Sequence, residues 1–179
     1  ACNADEGDSG TFSDRMLMEG DPFALIEGMT IAGVAVGANQ GYVYLRVEYP
    51  HAYATLQAAI VAAREAGYLG SDVCGSGRGF DIELRLGAGA YICGEETSIL
   101  ESIEGRRGEV RVRPPLPAHK GLFGAPTVVN NVITLATVPA ILADGAAGYQ
   151  EFGDAKSRGT LPLQLAGNVR RGGLVERAF

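Results

Sequence analysis

One short run constrains this chain more than any other: Gly87-Ala88-Gly89-Ala90-Tyr91-Ile92-Cys93-Gly94-Glu95-Glu96-Thr97. It follows Phe80–Leu86, where apolar and polar residues alternate as in a half-buried strand. It precedes a helical pattern, Glu95–Glu104, closed by Gly105. A turn so poor in side chains leaves backbone N–H groups free to approach an anionic or planar ligand. The paired carboxylates suit the helix dipole but repel a bare phosphate. The turn therefore reads as a place for ribose hydroxyls or a neutral aromatic ring, with Tyr91, Glu95 and Glu96 as its candidate side chains. A purely structural strand-to-helix turn with acids at the helix start would leave the same pattern, and G-x-G alone is a weak dinucleotide signal. The glycines packed around one tyrosine favour the ligand.

Strands and helices alternate on either side of this run. Asp21-Pro22 supplies an N-cap and a first-turn proline for a helix ending near Gly37; its apolar residues cover more than one face, so it is expected to be buried. Gly41–Glu48 is rich in β-branched and aromatic residues and reads as a strand. His51–Ala66 has helical apolar spacing and closes at Gly67. Pro114-Pro115-Leu116-Pro117 through Pro126 can be neither helix nor central strand. Asn130-Asn131 then caps an apolar helix, Val132–Ala143, ending near Asp144-Gly145. This alternation predicts an α/β unit with a mainly parallel sheet over residues 1–157. From residue 158 the pattern turns β-rich: Thr160–Ala166 reads as a strand and Arg170–Gly173 as a hairpin turn, so residues 158–179 begin a second domain.

The net charge of −6 argues against nucleic acid or an anionic membrane surface as the main partner. The apolar stretches are interrupted by Glu, Asn or Gly and read as too short to span a bilayer, so no membrane insertion is expected. Cys2, Cys74 and Cys93 are far apart, with no C-x-x-C pair; no metal site is complete, and a reducing, cytoplasmic setting fits. The chain starts without Met, on what reads as a strand end running into a loop, which suggests a fragment.

Three further constellations carry chemistry. Asn3-Ala4-Asp5-Glu6-Gly7-Asp8-Ser9-Gly10 follows a strand, where open α/β sheets place ligands, and its amide and acids suit the polar edge of a heterocycle; a solvated acidic turn is the simpler account from spacing alone. Calcium-loop spacing is missing there. Val129, Asn130, Asn131 and Thr134 surround a helix start whose free N–H groups can hold a phosphate, a role compatible with simple capping. Arg106, Arg107, Arg111 and Arg113 form either a solvated charge run or partners for a pyrophosphate. His51 and His119 have no nucleophile or metal partners nearby and are treated as structural or surface residues.

In order along the chain, Cys2–Gly7, Gly87–Ser102, Glu104–Gly108, Pro114–Pro117 and Pro126–Val132 resemble a family of flavin-bearing NADH dehydrogenase subunits, found in complex I, bidirectional hydrogenases and NAD-dependent formate dehydrogenases. The resemblance covers essentially the whole chain. It implies a Rossmann-like three-layer FMN-binding domain followed by the truncated start of a ubiquitin-like β-grasp domain. It also implies hydride transfer between NAD(H) and noncovalent FMN, with single electrons passed to iron–sulfur subunits of a multisubunit, cytoplasmic-side complex. Residue by residue, the FMN role falls on Asn3, Asp5, Glu6, Tyr91, Gly94, Glu95, Val129, Asn130, Asn131 and Thr134. The NAD role falls on Asp8, Tyr91, Glu96, Arg113 and Leu116. No side chain is expected to be catalytic, because the cofactor supplies the chemistry.

Several departures stand out. Asp8 is one carbon shorter than the family's usual acid, Leu116 replaces a stacking aromatic, and Arg113 replaces a lysine. The family's upstream Gly-rich phosphate loop would precede Ala1, and the cysteines of its [4Fe–4S] cluster would follow Phe179. Leu116 and the tail Ser157–Glu176 look most like the beta subunit of molybdenum or tungsten formate dehydrogenases; a complex I or hydrogenase diaphorase subunit is the alternative branch. A non-catalytic nucleotide-binding or scaffold module is the competing reading from another class.

Overall fold

The computed structural model describes residues 1–179. The chain opens with a short strand, β1 (Cys2–Ala4), then two helices, α1 (Ser13–Gly20) and α2 (Pro22–Val36). Strand β2 (Gln40–Leu45), helix α3 (Pro50–Glu65), strand β3 (Asp81–Leu86) and helix α4 (Glu96–Ile103) follow. An irregular passage leads to β4 (Asn130–Asn131) and α5 (Val132–Gln150). The first four strands form one sheet in the order β3-β2-β1-β4, and every pairing is parallel.

Alternation along β2 divides the interior into two cores. Val43 and Leu45 point to a large core shared with Leu25, Leu56 and Ile60 of α2 and α3, and with Val132 of α5. Tyr44, between them, points the other way, into a smaller core with Ile99 and Leu100 of α4 and Leu122. The result is the expected three-layer α/β arrangement: α1, α2, α3 and α5 on one face, α4 on the other. Each fully buried Leu or Ile here contributes roughly 1.5–3 kcal/mol relative to exposure.

Helix boundaries follow local chemistry. Asp21 accepts a hydrogen bond from the Ala24 N–H, Pro22 starts α2, and Gly37 ends it in the left-handed conformation. At Gly28, α2 meets α5 so closely that a Cβ would lie 1.9 Å from the Leu135 carbonyl oxygen. Helix α2 is not buried all round, contrary to the expectation from its apolar faces: Phe23 and Val36 are exposed. Helix α1 escaped the sequence pattern because its own N-cap, Phe12, makes no side-chain cap. Helix α5 runs past the expected end, but Gly145 leaves helical geometry (φ 75°, ψ 165°) where the Asp-Gly pair signalled a stop. By length and composition Val132–Gln150 reaches what a membrane crossing needs, longer than the interrupted pattern suggested. Its first turns are packed on α2 through Val132 and Leu135.

Beyond α5 the pairing turns antiparallel. Gly153–Asp154 (β5) pairs with Ser157–Arg158 (β6), and Thr160–Leu165 (β7) forms a hairpin with Gly173–Ala178 (β8). The Gln164 amide oxygen ties β7 to the start of α1, accepting from the Phe12 N–H (3.2 Å).

Candidate functional site

The strand order sets the site. The chain steps from β1 to β2 to β3 in one direction, and β4 returns on the other side of β1. The carboxyl ends of β1 and β4, reached by different crossovers, therefore lie side by side, and ligands of parallel α/β sheets sit outside such ends. The register places Asn3 beside Asn131 at this edge.

Asn3 donates from Nδ2 to the Gly94 carbonyl (2.7 Å), joining the β1 end to the Gly-rich turn after β3. Its Oδ1 accepts from the Asp5 N–H (3.2 Å). Asp5 is buried (4% exposed), and a Cβ on Gly7 or Gly94 would lie 3.7 or 3.8 Å from its carboxylate oxygen. Burial raises the Asp5 pKa, opposed by nearby Arg46 and assisted by Glu48.

Glu6 has a positive φ of 28°. Such a conformation costs on the order of 1–3 kcal/mol in a non-glycine residue, so its surroundings must hold it. They do: Glu6 Oε1 accepts from the Asp14 N–H (2.9 Å), and Oε2 accepts from the Arg15 N–H (3.1 Å) and the Tyr49 hydroxyl (3.0 Å). Arg46 donates to the Glu6 carbonyl (2.7 Å). Glu6 thus caps α1 from outside the helix. Burial, with the Glu6 charge beside it, pushes the Tyr49 hydroxyl up to about 12.

On the β3 side, Tyr91 lies over Gly7, where a Cβ would meet its ring at 2.9 Å, and donates its hydroxyl to Asp8 (2.6 Å). That bond raises the Tyr91 pKa, and the ring stays 71% exposed. Glu95 Oε2 caps α4, accepting from the N–H groups of Thr97 and Ser98 (both 2.9 Å) and from the Thr97 hydroxyl. Burial alone would raise Glu95, but these hydrogen bonds outweigh it and hold the carboxyl below its ordinary value. Arg113 reaches back to Glu95 (3.5 Å) and forms a close ion pair with Glu96. Leu116 is half-exposed in the Pro-rich passage, with no hydrogen bond or ion pair tying it to the crevice.

On the β4 side, Val129 is partly buried against the smaller core, and the Asn130 N–H donates to the Ala1 carbonyl. Asn131 Oδ1 caps α5 by accepting from the Ile133 N–H (2.8 Å), and Nδ2 donates to Asp14 (2.7 Å). Thr134 is exposed on the first turn of α5. Asp14, Arg46 and Tyr49 belong to this frame and were missed from sequence. The available signal was an acid in the first turn of α1, whose own start was not recognised.

A flavin needs a side-chain-free approach, polar partners along one ring edge and a positive region for its phosphate. The missing side chains at Gly89 and Gly94 supply the first, Asn3 and the neighbouring backbone the second, and the neutrally capped start of α5 the third. The residues fit the group.

A family model for the Nuo51 FMN-binding domain matches residues 1–140. The chain belongs to that family. Among similar proteins, the chain is 51% identical to the NADP-reducing hydrogenase subunit HndC of Solidesulfovibrio fructosivorans, over 98% of the chain and 36% of the relative. It is 47% identical to the mitochondrial NADH dehydrogenase (ubiquinone) flavoprotein 1 of Dictyostelium discoideum, over 97% of the chain and 36% of the relative. Its fold matches the crystal structure of an NAD+-reducing [NiFe]-hydrogenase in the air-oxidized state with a TM-score of 0.89 and 43% identity, covering 99% of this chain and 29% of that one. The chain thus spans well under half the length of these relatives. They are of the hydrogenase and complex I kind, and they support that alternative better than the expected formate dehydrogenase branch.

Proposed function

We propose that the chain is the flavin-binding part of an NADH:acceptor oxidoreductase, a diaphorase subunit of the complex I or hydrogenase type. The carrying observation is the division of the crevice. Acid gathers at Glu95 and Glu96, whereas the start of α5 is capped by a neutral amide. Held by these residues, FMN would supply the hydride acceptor and the single-electron donor. Asn3, Asp5, Gly94 and Glu95 would orient the flavin ring. Val129, Asn130, Asn131 and Thr134 would receive its phosphate side, and Glu6 would hold the loop that frames it.

Tyr91, Asp8, Glu96, Arg113 and Leu116 would form the dinucleotide side. The carboxylates there favour ribose hydroxyls over an added phosphate, which supports NAD(H) as the substrate. Iron–sulfur centres outside this chain, including a [4Fe–4S] cluster and those of partner subunits, would take the electrons, and a cytoplasmic-side location follows. The assignment of residues 1–157 to the FMN unit and 158–179 to the start of a β-grasp domain belongs to this reading, supported by the antiparallel hairpin β7–β8. The test is anaerobic addition of NADH to the full-length protein loaded with FMN. Flavin absorbance should bleach. Binding without bleaching would favour a non-catalytic nucleotide-binding module instead.

A further inference from the structure

Asp14 stands at a junction that neither the flavin contacts nor the dinucleotide side accounts for. It is 5% exposed, and its backbone N–H is held by Glu6 while its carboxylate accepts from Asn131 Nδ2 across the molecule. The second bond decides which way the Asn131 amide faces. With Nδ2 turned to Asp14, Oδ1 is left to cap the Ile133 N–H. Reversing the amide would set its NH2 against the Ile133 N–H donor and its oxygen against the Asp14 carboxyl, which can answer it only when protonated.

We propose that Asp14 is a positioning residue for the flavin crevice, fixing the Asn131 amide and thereby the first turn of α5 against the β1 loop. This rests on the reading of that crevice as the FMN site. Its geometry is a relay from Glu6 through α1 to Asp14, Asn131 and α5, running beside the direct pairing of β1 with β4. The charge state of Asp14 enters the same relay. Burial, and then the Glu6 charge, raise its pKa to about 7, and the Asn131 bond only partly offsets them. Cys2 on β1 also faces it, but burial keeps that thiol neutral; Asn131 on α5 carries no charge, and Tyr49 and Arg15 reach Asp14 only through Glu6. Ionisation therefore sets two carboxylates together beneath the crevice, so FMN should bind more tightly when Asp14 is neutral.

The test uses the full-length protein and its Asp14→Asn and Asp14→Ala variants. FMN affinity is titrated by fluorescence across the neutral pH range, and amide hydrogen exchange is followed at Ile133 and Thr134 in the flavin-free state. Asp14→Asn keeps an acceptor for Asn131 and should hold the low-pH affinity throughout, within about threefold, while the parent protein weakens severalfold as pH rises through about 7. Asp14→Ala should bind FMN about tenfold more weakly and exchange the α5 amides faster, an effect the size of one lost buried hydrogen bond. Parent and Asp14→Asn sharing one pH profile would overturn the proposal, as would Asp14→Ala with parental affinity and exchange. If Asp14→Ala does not fold, the Asp14→Asn profile decides. Failure of the parent to bind FMN at all would instead remove the functional reading on which this rests.

Discussion

Helices α4 and α5 both start at the carboxyl edge of the same parallel sheet, and both are capped by a side chain, yet their electrostatics are opposite. At α4 the cap is a carboxylate, Glu95, with Glu96 and Arg113 beside it. The positive end of that helix is already answered by protein charge. At α5 the cap is the Asn131 amide oxygen, which satisfies a donor without neutralising the dipole. The same local device thus builds one end that repels phosphate and one that attracts it. On the proposed reading, a phosphate-bearing aromatic ligand would lie across the crevice with its phosphate toward α5.

The largest test is of how α5 is held. Gly28→Val would drive a side chain into the Leu135 carbonyl, and thermal unfolding should show a loss above roughly 3 kcal/mol. A near-neutral result would mean that α5 is not locked on α2.

Next come opposite pH signs on the two sides. Asp14, raised to about 7, favours the folded state fully below its unfolded value of about 3.9, and that contribution fades as pH rises through about 7, by on the order of a few kcal/mol. Glu95, held below its ordinary value, does the reverse: its contribution is present above that value and is lost as pH falls. Denaturant unfolding of the flavin-free protein, compared with Asp14→Asn and Glu95→Gln, should show differences of opposite slope.

Removing the α4 cap by Glu95→Ala should cost about 1–2 kcal/mol in the same unfolding assay, with the thermal midpoint falling accordingly. The smallest stability effect but the sharpest functional one is expected at Thr134→Glu, which gives α5 the acidic start of α4. Stability should rise by roughly 0.3–1 kcal/mol or stay level. FMN affinity should drop at least about tenfold, a change of about 1.4 kcal/mol. Unchanged affinity in a flavin titration would place the phosphate elsewhere.

Much of this was legible in the chain. Pro22, Gly37, Gly105 and the alternation in Phe80–Leu86 mark boundaries within a residue or two of those observed, because caps and turns are local chemistry. Helix α1 was not legible, since its cap comes from Glu6 on another segment. The open face of α2 was also hidden: apolar residues on several faces state what a helix could bury, not which neighbours are present to bury it.

The Gly87–Thr97 run by itself determined a strand-to-helix turn with few side chains and an acidic end, because glycine and N-terminal acid act within a few residues. The tertiary structure decided what those residues do. It committed Glu6 to the frame, bound Asn3 to Gly94 and Asn131 to Asp14, and set the neutral start of α5 opposite the acidic start of α4. The Asn3–Gly94 and Asn131–Asp14 contacts join residues far apart in the chain. The order β3-β2-β1-β4 makes the last of them possible, because it brings the ends of β1 and β4 side by side.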